Sequence, residues 1–228
     1  MCGRFLLSKS PEEIARWFVT RNATPNSQPH YNIAPTHDVL AVRFNPETKE
    51  RTLDALRWGL VPYWAKDVKI GYSLINAKAE TVAEKPAFRE AFKSRRCLIT
   101  ADGFYEWKKL DAKAKQPYAI TMKDRSLFGF AGLWERWEDK ASGEVVRSCT
   151  IITTTPNEVC APIHDRMPVI LDPTNYGKWI GEEECDPMRL LMMLKHYPAV
   201  AMMAYPVDPK VGNVKHDDAT LVEALAVA

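Results

Sequence analysis

Most apolar positions fall in short runs rich in β-branched and aromatic residues and bounded by turn residues; few recur at helical spacing. Such runs predict strands over Val39 to Phe44, Leu53 to Leu60, Cys97 to Thr100, Tyr118 to Met122, Leu127 to Leu133, Val145 to Thr154, Val169 to Leu171 and Val200 to Tyr205, and the aromatic stretch Phe104 to Trp107 also reads as a strand. Helix signals are local. Ser10-Pro11-Glu12-Glu13 is a capping box with proline at the first helical position, and Ile14, Trp17 and Phe18 follow at helical spacing, which predicts a helix from Pro11 to Thr20. Ala83 to Lys93, with Phe88 and Phe92 on one face, predicts a second helix. Thr155-Pro156-Asn157-Glu158 opens a short one that Pro162 must end. Asp172-Pro173 opens another, with Tyr176, Trp179 and Ile180 on one face and Gly181 as its stop, and Asp186-Pro187 repeats the signal through Leu194. Without regular βαβ alternation, these elements predict an α+β fold: a mainly antiparallel sheet, curled or barrel-like, with peripheral helices.

Composition narrows the class. A chain of 228 residues with 46% hydrophobic and 26% charged residues suits a globular protein with a substantial core. No low-complexity linker or internal repeat divides it, so residues 1–228 are expected to form a single domain. No apolar run is long enough to span a bilayer, and Met1-Cys2-Gly3-Arg4 lacks the basic and apolar segments of a secretory signal. A cytoplasmic monomer is expected. The 5 cysteines form no C-x-x-C pair and the 5 histidines have no metal-ligand spacing, so neither metal nor cofactor is expected. A net charge of +2 does not by itself point to nucleic acid. The basic cluster Lys108, Lys109, Lys113 and Lys115 reads as a solvated hairpin loop.

The candidate chemistry begins at Cys2. Removal of Met1 would leave an α-amine and a thiol on one residue, a pair that condenses with an aldehyde to an imine and then closes a thiazolidine ring intramolecularly. An α-amine has a pKa of about 7.7–8.0, far below that of lysine, so a useful fraction is unprotonated near neutrality. On Cys2 alone, an inert buried thiol remains the preferred reading. Three further segments resemble sites. Leu74-Ile75-Asn76-Ala77-Lys78-Ala79-Glu80 gathers Asn, Lys and Glu after an apolar pair, with Asn76 as a helix N-cap an equal alternative. In Ala101-Asp102-Gly103-Phe104-Tyr105-Glu106-Trp107, Glu106 serves as a general acid if it points inward and as a surface acid if outward; the inward reading is favoured. In Ala161-Pro162-Ile163-His164-Asp165-Arg166-Met167-Pro168, His164 suits proton transfer and Arg166 suits a phosphate, the alternative being a structural histidine held by Asp165.

Together these segments resemble the SOS-response-associated peptidase (SRAP) family. The resemblance is carried, in family order, by Cys2-Gly3-Arg4, Tyr31-Asn32-Ile33-Ala34-Pro35, Trp58-Gly59-Leu60-Val61-Pro62, Ile75-Asn76-Ala77, the segment around Glu106, His164-Asp165-Arg166-Met167-Pro168 and Val211-Gly212-Asn213-Val214. It implies a sensor of abasic sites in single-stranded DNA that forms a thiazolidine crosslink through the N-terminal cysteine, with peptidase-like self-processing that exposes Cys2. It implies Cys2 as nucleophile, Asn76 orienting the amine, Glu106 as acid-base, and His164 assisting sugar ring opening and reversal. For DNA binding it implies Arg4, Asn32, Lys78 and Arg166, with Pro35 and Trp64 in the region that wedges against and stacks on bases. Lys78 stands where the family often has arginine, which keeps the charge and loses the bidentate fork, and Ala65 stands where a second aromatic can occur. Two competing functions remain. One is an N-terminal-nucleophile amidohydrolase or glutamine amidotransferase, which accounts for Cys2 and Gly3 and leaves Glu106 and His164 without a role. The other is a non-catalytic DNA-binding module.

Overall fold

The computed structural model describes residues 2–112 and 114–225. Twelve strands carry the architecture: β1 (Phe5–Leu7), β2 (His30–Ile33), β3 (Asp38–Asn45), β4 (Glu50–Trp58), β5 (Asn76–Lys78), β6 (Arg96–Ala101), β7 (Gly103–Lys109), β8 (Lys115–Met122), β9 (Phe128–Glu138), β10 (Val145–Thr154), β11 (Met167–Pro168) and β12 (Met202–Pro206). Four short α-helices lie among them: α1 (Pro11–Phe18), α2 (Arg89–Ser94), α3 (Tyr176–Ile180) and α4 (Pro187–Met192). The fold is α+β, as the sequence predicts.

The strands form two sheets. One is open and antiparallel, in the order β12-β8-β7-β1-β2. In the other, β3 pairs β4 and β6, β6 pairs β9, β9 pairs β10, and β10 returns to β4, so the ladder closes on itself. Closure removes the edges that an open sheet would leave unpaired. Strand β10 is the seam. Along one edge it runs parallel first to β4, at Ser148 and Cys149, and then to β5, from Ile151 to Thr153. Phe5 locks the two sheets together, its ring 5.1 Å from Trp58 and 5.8 Å from Phe130, both edge-on. The opposite face of the open sheet is covered as well. Leu6 and Tyr105 pack with Tyr205, Val207, Val211 and Leu221 in a second buried cluster. Strand β7 is therefore buried on both faces, which explains why alternation alone left the direction of Glu106 open.

Where capping chemistry is explicit, the helices begin or end as the sequence predicts. Ser10 accepts from the Glu13 N–H and Glu13 reaches back to the Ser10 N–H, so α1 begins where the capping box puts it, and Val19 in a left-handed conformation ends it. Helix α3 stops at Gly181, whose φ is +85°. Three expectations fail. The helix expected from Ala83 shrinks to α2, because Pro86 disfavours helical backbone at Lys85 and the chain turns there instead. The helix expected at Thr155 is replaced by two successive turns. Val169 to Leu171 contributes a single bridge, Phe130 to Ile170, beside the two-residue β11. Strands β1, β2 and β5 are too short to show a period.

Gly59 and Gly71 close the loop between β4 and β5. A Cβ on either would lie 2.6 Å from the other's carbonyl oxygen, and Gly59 has a φ of +120°. Left-handed backbone costs an L-residue about 1–2 kcal/mol before any clash. Gly59→Ala is expected to destabilise the protein by at least about 2 kcal/mol. At about 2–4 °C per kcal/mol for a domain of this size, the loss is readable as a lowered Tm in thermal unfolding.

Candidate active site

Strand register delivers Cys2 to its neighbours. Phe5 pairs Phe104, Leu6 pairs Gly103, and the Tyr105 N–H donates to Arg4 O at 2.9 Å. In an antiparallel pair the partner numbers have a constant sum, so the same register carried upstream sets the Cys2-Gly3 segment beside Glu106. Asp102 holds the other end of β1: both its carboxylate oxygens accept from the Ser8 N–H at 3.1 Å, and the Ser8 hydroxyl donates to it as well.

Cys2 is fully buried. Burial pushes its thiol well above the ordinary range, and the Glu106 charge adds to the rise. Glu106 is 4% exposed, and its carboxyl is pushed up to about 7, chiefly by burial, with Asp165 contributing. The acid therefore points inward and is part-protonated at neutral pH. His164 places Nε2 3.9 Å from Glu106 Oε2. Its Nδ1 accepts from the Arg166 N–H at 3.0 Å, and Asp165 lies 3.0 Å from the same nitrogen. The Arg166 N–H calls for a lone pair on Nδ1 and the Asp165 carboxylate for a proton there, so these two contacts favour opposite tautomers of the ring. Burial lowers the pKa of His164, so the imidazole is neutral at pH 7. Cys160, 2% exposed, is a further buried thiol that feels the Glu106 charge; burial pushes it up to about 12, with that charge adding. Sequence reasoning missed it. Its one signal is its place a turn before His164.

Asn76 is the first residue of β5, paired with Ile151, and is not a helix N-cap. Its Nδ2 donates to Ile75 O at 3.0 Å and lies 3.5 Å from Ile151 O, while the buried Oδ1 has no hydrogen-bond partner among the described residues. Lys78, exposed, ends β5 opposite Thr153. Arg166 comes to the same edge: its guanidinium grips Glu80 bidentately, at 2.5 and 2.9 Å, and donates to Thr153 O at 2.6 Å. That bond holds the Glu80 carboxyl below its ordinary range.

The remaining candidates separate into two groups. Arg4 Nη1 donates to Asn32 Oδ1 at 2.7 Å and to Val211 O at 2.8 Å. Asn32 is 1% exposed and spends its Nδ2 on Asn213 O and His216 O, at 3.1 and 2.6 Å. Its side chain faces inward and ties Arg4 to the C-terminal segment, which accounts for the Val211-Gly212-Asn213-Val214 motif. Pro35, half-buried, precedes Thr36, whose φ of 76° makes a tight turn held by a bond to Trp58 O. Trp64 is 47% exposed beside Tyr63, on a loop fastened by the Tyr63 N–H to Glu135 and by Trp137 Nε1 to Ala65 O. Tyr63 is a second exposed ring that sequence reasoning passed over.

Among the described residues there is no cluster of three or more His, Cys, Asp or Glu able to hold a metal ion, and no helix is long and apolar enough to cross a membrane. Met1 lies outside the described residues, as does Lys113 of the basic hairpin.

Comparison with known proteins places this site in a context. The family model "SOS response associated peptidase (SRAP)" matches residues 1–214. The abasic site processing protein YoqW of Bacillus subtilis is 46% identical over 226 residues, covering 98% of this chain and 100% of that one. The abasic site processing protein HMCES of Xenopus tropicalis is 29% identical, covering 99% of this chain and 78% of that one. A protein of known crystal structure from Bacteroides thetaiotaomicron superposes with a TM-score of 0.90 at 26% identity, over 99% of this chain and all of that one.

Proposed function

The chain belongs to the SOS response associated peptidase family, and from that premise we propose that it senses abasic sites in single-stranded DNA and links itself to them through Cys2. The observation that carries the reading is the Glu106 carboxyl, raised to about 7 and shared by the Cys2 thiol and the His164 imidazole. The names of the relatives point to the same lesion.

Peptidase-like removal of Met1 frees the Cys2 amine. The neutral imidazole of His164 assists opening of the sugar hemiacetal to its aldehyde. The amine adds to the carbonyl carbon and one of its protons passes to the carbonyl oxygen; protonated Glu106 then donates to the departing hydroxyl, and one water leaves to give the protonated imine. Glu106, now a carboxylate, takes the thiol proton as Cys2 sulfur adds to the imine carbon, so the nitrogen keeps its proton as the neutral ring amine and Glu106 ends protonated. A thiol held far above its ordinary pKa does not ionise on its own, so a neighbouring base whose charge it feels is what makes the ring closure accessible. Asn76 Oδ1, buried and unpartnered, is an acceptor for the amine N–H. Removal of Met1 consumes one water, and the steps from the aldehyde to the closed ring need only proton transfers, with water as the one leaving group.

For the DNA, Lys78 and Arg166 serve phosphates along the β5–β10 edge, and Pro35 and Trp64 meet the bases. Arg4 faces the backbone next to Cys2, with Asn32 acting through it. The protein acts as a cytoplasmic monomer. The test is intact-mass spectrometry after incubation with an abasic single-stranded oligonucleotide: an adduct lighter by one water than the sum of the partners is expected, and an unmodified protein refutes the reading. Hydrolysis of free glutamine would support the amidohydrolase alternative, which gives no role to the Glu106–His164 pair.

Arg166→Ala is expected to weaken binding to undamaged single-stranded DNA and to flatten its salt dependence by about 0.7 in the slope of log K against log salt, the value for one phosphate contact. Fluorescence anisotropy across a salt series checks this; an unchanged slope removes Arg166 from the phosphate set.

A further inference from the structure

Between β10 and β11 the chain has no regular secondary structure, yet it carries Cys160 and His164 to the site. We propose that Asn157 is the positioning residue that sets His164 against Glu106; the inference rests on the role given to His164 above. Asn157 is 2% exposed. Its Oδ1 accepts from the N–H groups of Val159 and Cys160, at 3.2 and 3.0 Å, and its backbone oxygen from those of Cys160 and Ala161, at 3.1 and 2.8 Å. The carboxamide thus builds the first turn, much as an N-cap side chain would. Cys160 O then accepts from Ile163 and His164, at 2.9 and 3.0 Å, so a second turn sits on the first and ends on His164. Pro162 lacks an N–H group, which keeps these turns from growing into the helix that the local sequence suggests.

The other end of the same side chain is the anchor. Asn157 Nδ2 donates to Tyr197 O at 2.8 Å and reaches Met202 Sδ at 3.3 Å, while its backbone N–H faces Met167 Sδ at 3.3 Å. The Asn157 carboxamide therefore ties the turns that end on His164 to the segment entering β12, while its backbone N–H ties them to β11. Alanine would leave the half-buried Tyr197 carbonyl and Val159 N–H without their partner and would free the turns to shift. The imidazole sits 3.9 Å from Glu106, where a small displacement separates the pair.

The test is a double-mutant cycle on the rate of crosslinking to an abasic single-stranded oligonucleotide, using wild type, Asn157→Ala, His164→Ala and the double variant. A misplacement of about 1 Å costs about 10²-fold, so Asn157→Ala is expected to slow crosslinking by that order, with affinity for undamaged DNA unchanged. In the His164→Ala background the same substitution is expected to cost nothing further. Equal fold-losses in both backgrounds, or an Asn157→Ala rate within twofold of wild type, overturn the inference. Asn157→Asp, isosteric and retaining the Oδ1 acceptor, carries the same cycle should the alanine variant not fold. A wild type that forms no crosslink, or a His164→Ala protein as fast as wild type, sinks the underlying reading and the inference with it; a slow His164→Ala beside an unaffected Asn157→Ala sinks the inference alone.

Discussion

Cys2→Ala leaves no protein attached to an abasic single-stranded oligonucleotide after denaturation, while affinity for undamaged DNA stays within a few-fold of wild type. The effect is all-or-none because no other cysteine offers an α-amine and a thiol on one residue. Cys2 is wholly buried as part of the main core cluster, so removing its sulfur takes away the ring-closing nucleophile without altering an exposed surface. Cys2→Ser separates the two steps. The amine still forms an imine, but the hydroxyl closes the ring poorly, so attachment survives denaturation only after borohydride reduction. Imine and thiazolidine have the same composition, so mass alone does not tell them apart; resistance to hydrolysis without reduction does. Undiminished attachment of Cys2→Ala would refute covalent chemistry at this residue.

Glu106→Gln is the second large expected effect. A positioned acid-base group is worth about 10²–10⁴-fold, and Glu106 is asked to act twice, as acid in imine formation and as base toward the thiol. Crosslinking should slow by that order and lose the limb of its pH profile near 7 that Glu106 supplies. Stability gives an independent reading of the same burial. The folded-state pKa of Glu106 lies near 7 against an ordinary 4.5, so the native protein binds more protons than the unfolded chain between those values. With more protons bound in the native state, stability falls as pH rises from about 4.5 to about 7, and the loss is complete above that window. Glutamine does not titrate. The Tm advantage of Glu106→Gln over wild type should therefore be greater at pH 8 than at pH 5. Parallel Tm values at the two pH values would place the Glu106 carboxyl in a better-solvated setting than the one described.

The chain's own pattern carried the fold class, the long strands β3, β6 and β10, and the start of α1, because these rest on local chemistry: β-branched runs bounded by turns, and a capping box closed within four residues. It also carried the motifs by which the family resemblance was stated, including every residue of the proposed chemistry. What it left open was direction and company. Glu106 could face either way because both faces of β7 are covered, one by the barrel and one by the C-terminal segment, and alternation is informative only when one face meets water. Asn32 reads as a polar candidate in a motif, but its bonds to Arg4 and to the 213–216 backbone close over it only in the folded chain. The Thr155-Pro156-Asn157 segment looks locally like a helix start; Pro162 holds it to two turns, and the Tyr197 carbonyl, far along the chain, fixes where they lie by taking the Asn157 amide donor. The meeting of positions 2, 106 and 164 is decided by strand register and by Phe5 wedged between the sheets, both long-range contacts that no local window contains.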